Sequence, residues 1–470
     1  MEKWLRYVAD SRRLAQVGAR LVPNTARWTT AGLTLALAAL AQAADAPATF
    51  YKDVLPVLQQ NCQNCHRPGE IGPMPLLTYD EARPWAKALR EAVALQHMPP
   101  WHADPGVGDF SNDRRLSESE VKAILSWADN GAPAGNPADA PPPREFVDGW
   151  TIGEPDQIFE MPIDFQASAS GTIPYQYIKI PSGFTQDRWV QAVEIRPGNR
   201  RFVHHGVVYA REPDAEWASK APTGEFFELW KTQPRAERTP GKTMFSTTKE
   251  PEHLQVFVPG ADAVRFADGQ ARLVKAGSEI VFEMHYTPTG KPETDRTQVG
   301  IIFAKEPPRE RVRTVRINNG SPINIPPGAA DYIKESRVAV EHPIRIVALQ
   351  PHMHYRGKSM FFSAIMPSGE QRDLLSVSKY NFHWQMTYYA RDPVSLPVGS
   401  ILICKAVYDN SANNPDNPDA KAWVKGGLQS EEEMMAGFLE VGTAPDLGGV
   451  DVFRDSSDES PKAEIASNRD

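Results

Sequence analysis

Residues 344–357 read IRIVALQPHMHYRG. Aliphatic and β-branched side chains fill the run up to Leu349, helical spacing is absent, and Tyr-Arg-Gly closes it with a turn signal. The segment predicts a β-strand. Alternate side chains of a strand leave from one face, so His352 and His354 point the same way, either as a metal clamp or as two polar residues on a wet surface. Five further segments carry the same signature: DRWVQAVEIRPG (187–198), FVHHGVVYARE (202–212), SEIVFEMHYTPTG (278–290), RTQVGIIFAKE (296–306) and SILICKAVYDNS (400–411). Short strands between turn signals are the pattern of antiparallel β-sandwiches. Roughly 300 residues of it exceed one sandwich. Two are predicted, over 154–306 and 307–450, meeting in FAKEPPRERVRTV (303–315).

The whole chain bounds the remaining possibilities. At 470 residues it is too long for one hydrophobic core. A net charge of −8 without a long basic run excludes nucleic acid as the expected partner. Proline (42) outnumbers glycine (32), which suits β-rich domains with long connections. Near the N-terminus, Arg12, Arg13, Arg20 and Arg27 precede the uncharged WTTAGLTLALAALAQAA (28–44), which closes on Ala41-Gln42-Ala43. This is the layout of a cleaved secretory signal, residues 1–43, and predicts a periplasmic or otherwise exported protein. The apolar run is short for a bilayer, so no stable membrane span is expected.

Residues 44–135 read as a small all-α domain built around NCQNCHRPG (61–69). C-x-x-C-H attaches c-type haem: the thiols of Cys62 and Cys65 add across the vinyl groups, which leaves His66 beneath the iron as an axial ligand. No second C-x-x-C exists to complete a zinc site. TFYKDVLPVLQQ (49–60) predicts a helix running into the motif. SESEVKAILSWADNGAP (117–133) predicts a closing helix with a Ser117/Glu120 capping box and a Gly131–Pro133 stop. LQHMPPWHADP (95–105) lies between them and offers Met98, His97 and His102 as sixth ligand. It resembles the MPPW stretch of small cytochrome c domains, which implies Met98, with His97 as the alternative. Residues 136–153 form a proline-rich, semi-rigid linker. Outside the haem motif only Cys404 remains, so no disulfide is expected in spite of an oxidising compartment. Cys404 reads as a small buried hydrophobe.

Eleven histidines occur, three of them before residue 135. Of the rest, five fall in strand-like motifs: His204 and His205 in RFVHHGVVY, His285 in FEMHYTP, and His352 and His354. Adjacent residues of a regular strand face opposite ways, so His204 and His205 share an ion only at a bulge or a strand end. Nitrogen donors without thiolates or carboxylates suit copper or zinc.

HHGVVY, MHY, HMHYRG and a methionine after an acidic pair, in this order, resemble the copper type II, ascorbate-dependent monooxygenases, among them the peptidylglycine and dopamine β hydroxylases. The resemblance runs over about residues 155–445. It implies two jelly-roll sandwiches that each carry one copper ion across a cleft. One ion, for electron transfer, is implied at His204, His205 and His285. The other, where oxygen is activated, is implied at His352, His354 and Met434 of QSEEEMMAGF (429–438), with Met435 the competing register. The implied activity is hydroxylation of a C–H bond in a small organic substrate with O2, two electrons being supplied per turnover. The implied external donor is an ascorbate-like reductant or a redox protein, and the fused haem c suggests an internal one.

The departures are also informative. Where peptide-hydroxylating members place an arginine before the H-x-H pair, Gln350 stands here. Phe438 and Ala436 stand where those members carry tyrosine and asparagine, so peptide amidation is not expected and a less polar substrate fits Phe438 better. An electron-transfer protein that binds copper and haem without hydroxylating is the competing expectation. Trp150 reads as packing, YDNSANNPDNPDA (408–420) as a turn-forming loop beside the cleft, and 451–470 as a disordered tail. His253, His342 and His383 have no sequence partner and read as structural, although the aromatic NFHWQMTYY (381–389) draws His383 toward the cleft.

Overall fold

A computed structural model describes residues 47–232, 252–258, 260, 263–317 and 322–456. The expected signal segment lies outside them. No described helix is long and apolar enough to cross a membrane.

The described chain is mostly β-sheet, with its longer helices confined to the N-terminal part. There, a π-helical turn Phe50–Val54 leads into Leu55–Asn61, followed by Ala86–Ala94 and Glu118–Asp129. Their apolar faces meet around Phe50, Leu58, Leu76, Leu89, Ile124 and Trp127. The capping box is formed: Glu120 N–H donates to Ser117 Oγ, and Ser117 N–H donates to the Glu120 carboxylate at 2.7 Å. Pro133 stops the last helix, and its carbonyl accepts the Trp127 indole N–H at 3.1 Å. The linker is held rather than loose. Gln59 Nε2 donates to the Pro142 carbonyl, and Thr151 and Ile152 N–H donate to Glu194.

All six predicted strands form. Gln176–Pro181, Glu279–Tyr286, Val203–Arg211 and Glu252–Phe257 pair in that order as a four-stranded antiparallel sheet. Gln371–Val377, Gly357–Ile365, Ile401–Tyr408, Tyr332–Val340 and Phe453–Asp455 make a five-stranded one. Each encloses a core against one half of a longer sheet, which runs Gln157–Glu160, Gln298–Phe303, Arg188–Arg196, Gln270–Val274, Glu310–Ile317, Ala436–Thr443, Ile344–His352 and Tyr388–Leu396. Two cores with alternating inward side chains result. One centres on Ile178, Val193, Val208 and Phe282, the other on Leu349, Met360, Phe362 and Leu439.

The two halves are not joined by a bare connection near residue 306. Glu310–Ile317 adds in parallel to Gln270–Val274, with Glu310 opposite Gln270 and Arg311 opposite Ala271, so one sheet spans both cores. Cys404 is fully buried in the second core. Gly437 packs on it so closely that a β-carbon would stand 2.7 Å from its sulfur.

The disordered-tail expectation needs correction at its start. Phe453–Asp455 pairs with Val338–Val340, and Val452 enters the second core. Apolar Val452 and Phe453 finish an otherwise open sheet edge, which outweighs the polar composition that follows. Residues 457–470 lie outside the described chain.

Candidate metal centres

Alternation decides where the histidines go. In Val203–Arg211, Val203, Val208 and Ala210 face the sandwich core, whereas Val207 and Tyr209 join a cluster on the opposite face. His205 shares that outer face, directly opposite His285 on the neighbouring strand. The ladder slips between Val203 and His205. This bulge leaves His204 without a ladder partner and turns its ring to the side of His205, the condition under which adjacent histidines can share an ion. His204 Nδ1 and His205 Nδ1 are 3.1 Å apart, His205 Nδ1 and His285 Nδ1 are 3.4 Å apart, and one nitrogen from each ring lies within 4.8 Å of the others. The Tyr175 ring stacks on His285 at 4.6 Å. Burial, then the neighbouring imidazoles, hold His204 and His205 well below the usual imidazole range, and burial takes His285 to about 4. Neutral rings are the ligating form.

The second group stands on the outer face of the long sheet. Leu349 and Leu439 point into the core, so Gln350, His352, Ala436 and Phe438 point out. The strand ends at His352, and His354 follows in the turn closed by Gly357 N–H on the His354 carbonyl. The two rings are 5.2 Å apart. Gln385 Oε1 meets His352 Nδ1 at 2.5 Å and the Glu432 carbonyl meets His354 Nδ1 at 3.2 Å, which orients each ring with Nε2 away from those partners. Burial brings His352 to about 4 and His354 to about 3. The two methionines separate by face. Met435 is buried in the second core with its sulfur 3.9 Å from Ser336 Oγ. Met434 is half-buried and two residues before Ala436, the ladder partner of His352.

Several contributors escape sequence reading. The Glu433 carboxylate is fully buried and accepts N–H bonds from His354 (3.0 Å), Arg356 (2.7 Å) and Met434 (3.2 Å). Burial raises it to about 7 against the pull of these donors. In the sequence it served only as half of an acidic pair that sets the methionine register. Residues 380–385 also bridge both groups. Tyr380 Oη contacts both Met353 N–H and the Met353 carbonyl, Gln385 orients His352, and the Phe382 ring lies 6.1 Å from His204 and 6.4 Å from His354. His383, read as structural, stands 5.7 Å from His204. His253 is packing, as read, buried between Tyr209 and Phe438. The 408–420 loop is fixed by Asn and Asp side chains that cap their own backbone. Through Asn414 Nδ2 on the Tyr355 carbonyl it abuts the H-x-H turn.

The C-x-x-C-H segment is positioned against the first sandwich. His66 is buried with Nδ1 3.2 Å from the Met74 carbonyl, so Nε2 is the nitrogen left for a metal. Gly72 closes over it, where a β-carbon would lie 2.9 Å from His66 Nδ1. Glu70 pairs with Arg200 at 3.5 Å, four residues before His204. Cys65 sulfur would stand 2.9 Å from a β-carbon on Gly260. The segment after Met98 leaves the helical unit: Trp101 and Phe110 insert into the second core beside Tyr388, and Asp104 accepts hydroxyl bonds from Ser376 and Ser378. Met98 is half-buried and His97 exposed, whereas His102 Nε2 is buried without a partner among the described residues.

A cavity of about 460 Å³ lies between the halves, walled by His253, Phe266, Val347, Gln350, Tyr389 and Glu440. Gln350 connects it to the H-x-H face.

Residues 326–440 match the family model described as "Copper type II ascorbate-dependent monooxygenase, C-terminal domain". That span contains His352, His354 and Met434, and the match supports the family and a copper-dependent, hydroxylase-like function. No curated protein matches. Among solved structures, the chain is similar to the infectious bursal disease virus VP2 subviral particle, at 10% identity over 62% of this chain and 73% of that one, with a TM-score of 0.17. It is also similar to the STIV MCP, at 9% identity over 62% and 95%, with a TM-score of 0.21. Scores this low carry no weight for fold or function.

Proposed function

We propose that the chain is an exported dicopper monooxygenase that hydroxylates a C–H bond of a small organic substrate, with a fused haem c as electron donor. The observation that supports it most is the pairing of two neutral imidazole groups on sheet faces that share the residue 380–385 bridge. The donor chemistry fits: nitrogen ligands alone at His204, His205 and His285, and two imidazoles with a thioether at His352, His354 and Met434. Bound there, the two ions would supply the electrons and the oxygen activation for hydroxylation. The chain's own part is to hold Nδ1 of the first three histidines together, to orient His352 through Gln385 and His354 through Glu432, and to present Met434 beside them. Phe438, 6.1 Å from His352, gives the approach an apolar wall and favours a substrate of low polarity.

Met434→Ile tests the assignment. Haem spectrum and one copper per chain are expected to remain, while oxygen uptake coupled to hydroxylated product is lost. Met435→Leu should keep activity and cost under about 1.5 kcal/mol, since it exchanges similar volumes in a core. Equal activity in Met434→Ile and the parent would remove Met434 from the site. Oxygen uptake that never yields a hydroxylated product with any substrate would leave an electron-transfer protein instead.

For the haem, Cys62, Cys65 and His66 are the residues we assign, with Met98 as sixth ligand. Haem there would supply electrons to the His204–His205–His285 side, a route supported by the Glu70–Arg200 pair and the Cys65–Gly260 approach. Stopped-flow spectra check this: ferrous haem is expected to reoxidise once cupric protein and oxygen are present, and a haem that stays reduced rules the route out.

A further inference from the structure

The first sandwich offers three imidazoles at one point, and a fourth ring, from the second sandwich, stands beside one of them. His383 belongs to the 380–385 segment, yet its ring stands 5.7 Å from His204 at an interplanar angle of 81°. Within the trio, ring centres are separated by 5.2, 5.2 and 4.7 Å. With metal–imidazole nitrogen bonds of about 2.0–2.1 Å, two rings on one ion have centres roughly 4.5–6.3 Å apart, from cis to trans. The His204–His383 separation falls inside that window.

The position is built. His383 N–H donates to Asn381 Oδ1 at 2.9 Å, Gln385 Nε2 donates to the Phe382 carbonyl at 3.2 Å, and Tyr380 ties the start of the segment to Met353. Asp416 Oδ1 lies 3.8 Å from His383 Nε2, a carboxylate beside the ring but beyond hydrogen-bond distance. The ring is half-exposed and lies outside the group of nitrogens within 4.8 Å of one another. The electrostatics of the site agree, since His383 acts on both His204 and His285.

We propose that His383 is a fourth ligand to the ion held by His204, His205 and His285, contributed by the second sandwich. This rests on the copper reading above and adds to it a cross-link: the ion on one sandwich is completed by the segment that also orients His352 on the other. Occupancy of the first site would then fix the separation of the two.

A chain carrying His352→Ala and His354→Ala retains only the three-histidine site and isolates the effect. It is loaded with one equivalent of Cu(II), examined by EPR, and titrated against a competing chelator. Adding His383→Ala is expected to change the Cu(II) spectrum and raise the copper Kd at least tenfold. Adding His342→Ala, an imidazole elsewhere on the second sandwich, is expected to change neither. The same comparison in the otherwise native chain guards against a folding defect of the background. Superimposable spectra with Kd values within twofold overturn the proposal, as does an equal effect of His342→Ala. A parent that binds no copper overturns the dicopper reading itself, an outcome distinct from the first two.

Discussion

Arg272→Ala is expected to lower the stability of the β-sheet part by about 3–5 kcal/mol, the cost of leaving a buried charge without its partner. Arg272 is 1% exposed. Its guanidinium bonds Glu252 at 3.2 Å and Thr314 Oγ1 at 2.7 Å, and also meets Glu440 and the His253 carbonyl. Glu252 and Arg272 come from strands of the first half, Thr314 and Glu440 from strands of the second. The group is the polar joint beneath the cavity, and it holds the two histidine faces in register. In the variant Glu252 keeps Arg311 at 3.2 Å, but Glu440 keeps only Thr314. Burial already raises the Glu440 carboxyl, and Arg272 is the charge that pulls it back. Without Arg272 its folded pKa rises further above the unfolded value. A raised acid pKa means the folded state takes up a proton as pH falls, so the deficit should be full at alkaline pH and shrink toward acid pH. Urea melts of parent and variant at pH 8 and pH 5 measure both. A deficit below about 1 kcal/mol at pH 8, or one that grows on acidification, contradicts this account.

The fold class was legible because its signal is local. Alternation in IRIVALQPHMHYRG and FVHHGVVYARE is a property of consecutive residues, and sandwich cores select for it. The capping box at Ser117 and Glu120 is local for the same reason. The parallel addition of Glu310–Ile317 to Gln270–Val274 was not legible. It depends on where two strands from different halves meet, and nothing within either segment records that. The edge strand at Phe453 was hidden by an acidic, serine-rich neighbourhood that outvoted two apolar residues.

The candidate site divides along the same line. His204, His205, His285, His352 and His354 were conspicuous because imidazoles at strand spacings are rare, and the need for a bulge at His204 followed from period-two geometry alone. The choice between Met434 and Met435 was undecidable in sequence, because a one-residue shift exchanges the two faces. In the structure Met435 lies in the second core, whereas Met434 is half-buried outside it. Gln385 was invisible beside the site because its partner lies on another strand, and the aromatic run around His383 pointed only to the cleft, since its neighbour His204 lies on the other sandwich. Gln385 has no chemical label in a sequence, and its role exists only as the 2.5 Å contact with His352 Nδ1.

Glu433→Ala should separate the two proposed copper sites most sharply. Three buried N–H groups, of His354, Arg356 and Met434, converge on this carboxylate. The Arg356 side chain is fixed beside it through Asn410 Oδ1 at 2.9 Å and the Glu431 carbonyl at 2.8 Å. The carboxylate thus sets the backbone on both sides of His354 and directly before the Met434 side chain. Removing it strands the donors at about 1–3 kcal/mol each, so a loss near 3 kcal/mol is expected even if water rescues part of the set. The metal consequence is larger and local. Loss of an outer-shell partner typically costs about 10–100-fold in metal affinity or activity, and here one group supports two proposed ligands at once. Copper per chain should fall from two to one, the remaining ion keeping the spectrum of the His204–His205–His285 site. Glu433→Gln is the informative companion. Its single carbonyl oxygen can accept from two of the three N–H groups, while its own N–H₂ must face the third. It should therefore fold near the parent yet still weaken copper at His352, His354 and Met434. If both variants retain two copper ions and melt with the parent, Glu433 is a bystander. If both lose both ions together, the two sites do not load independently, and the cross-link through His383 would be the first contact to examine.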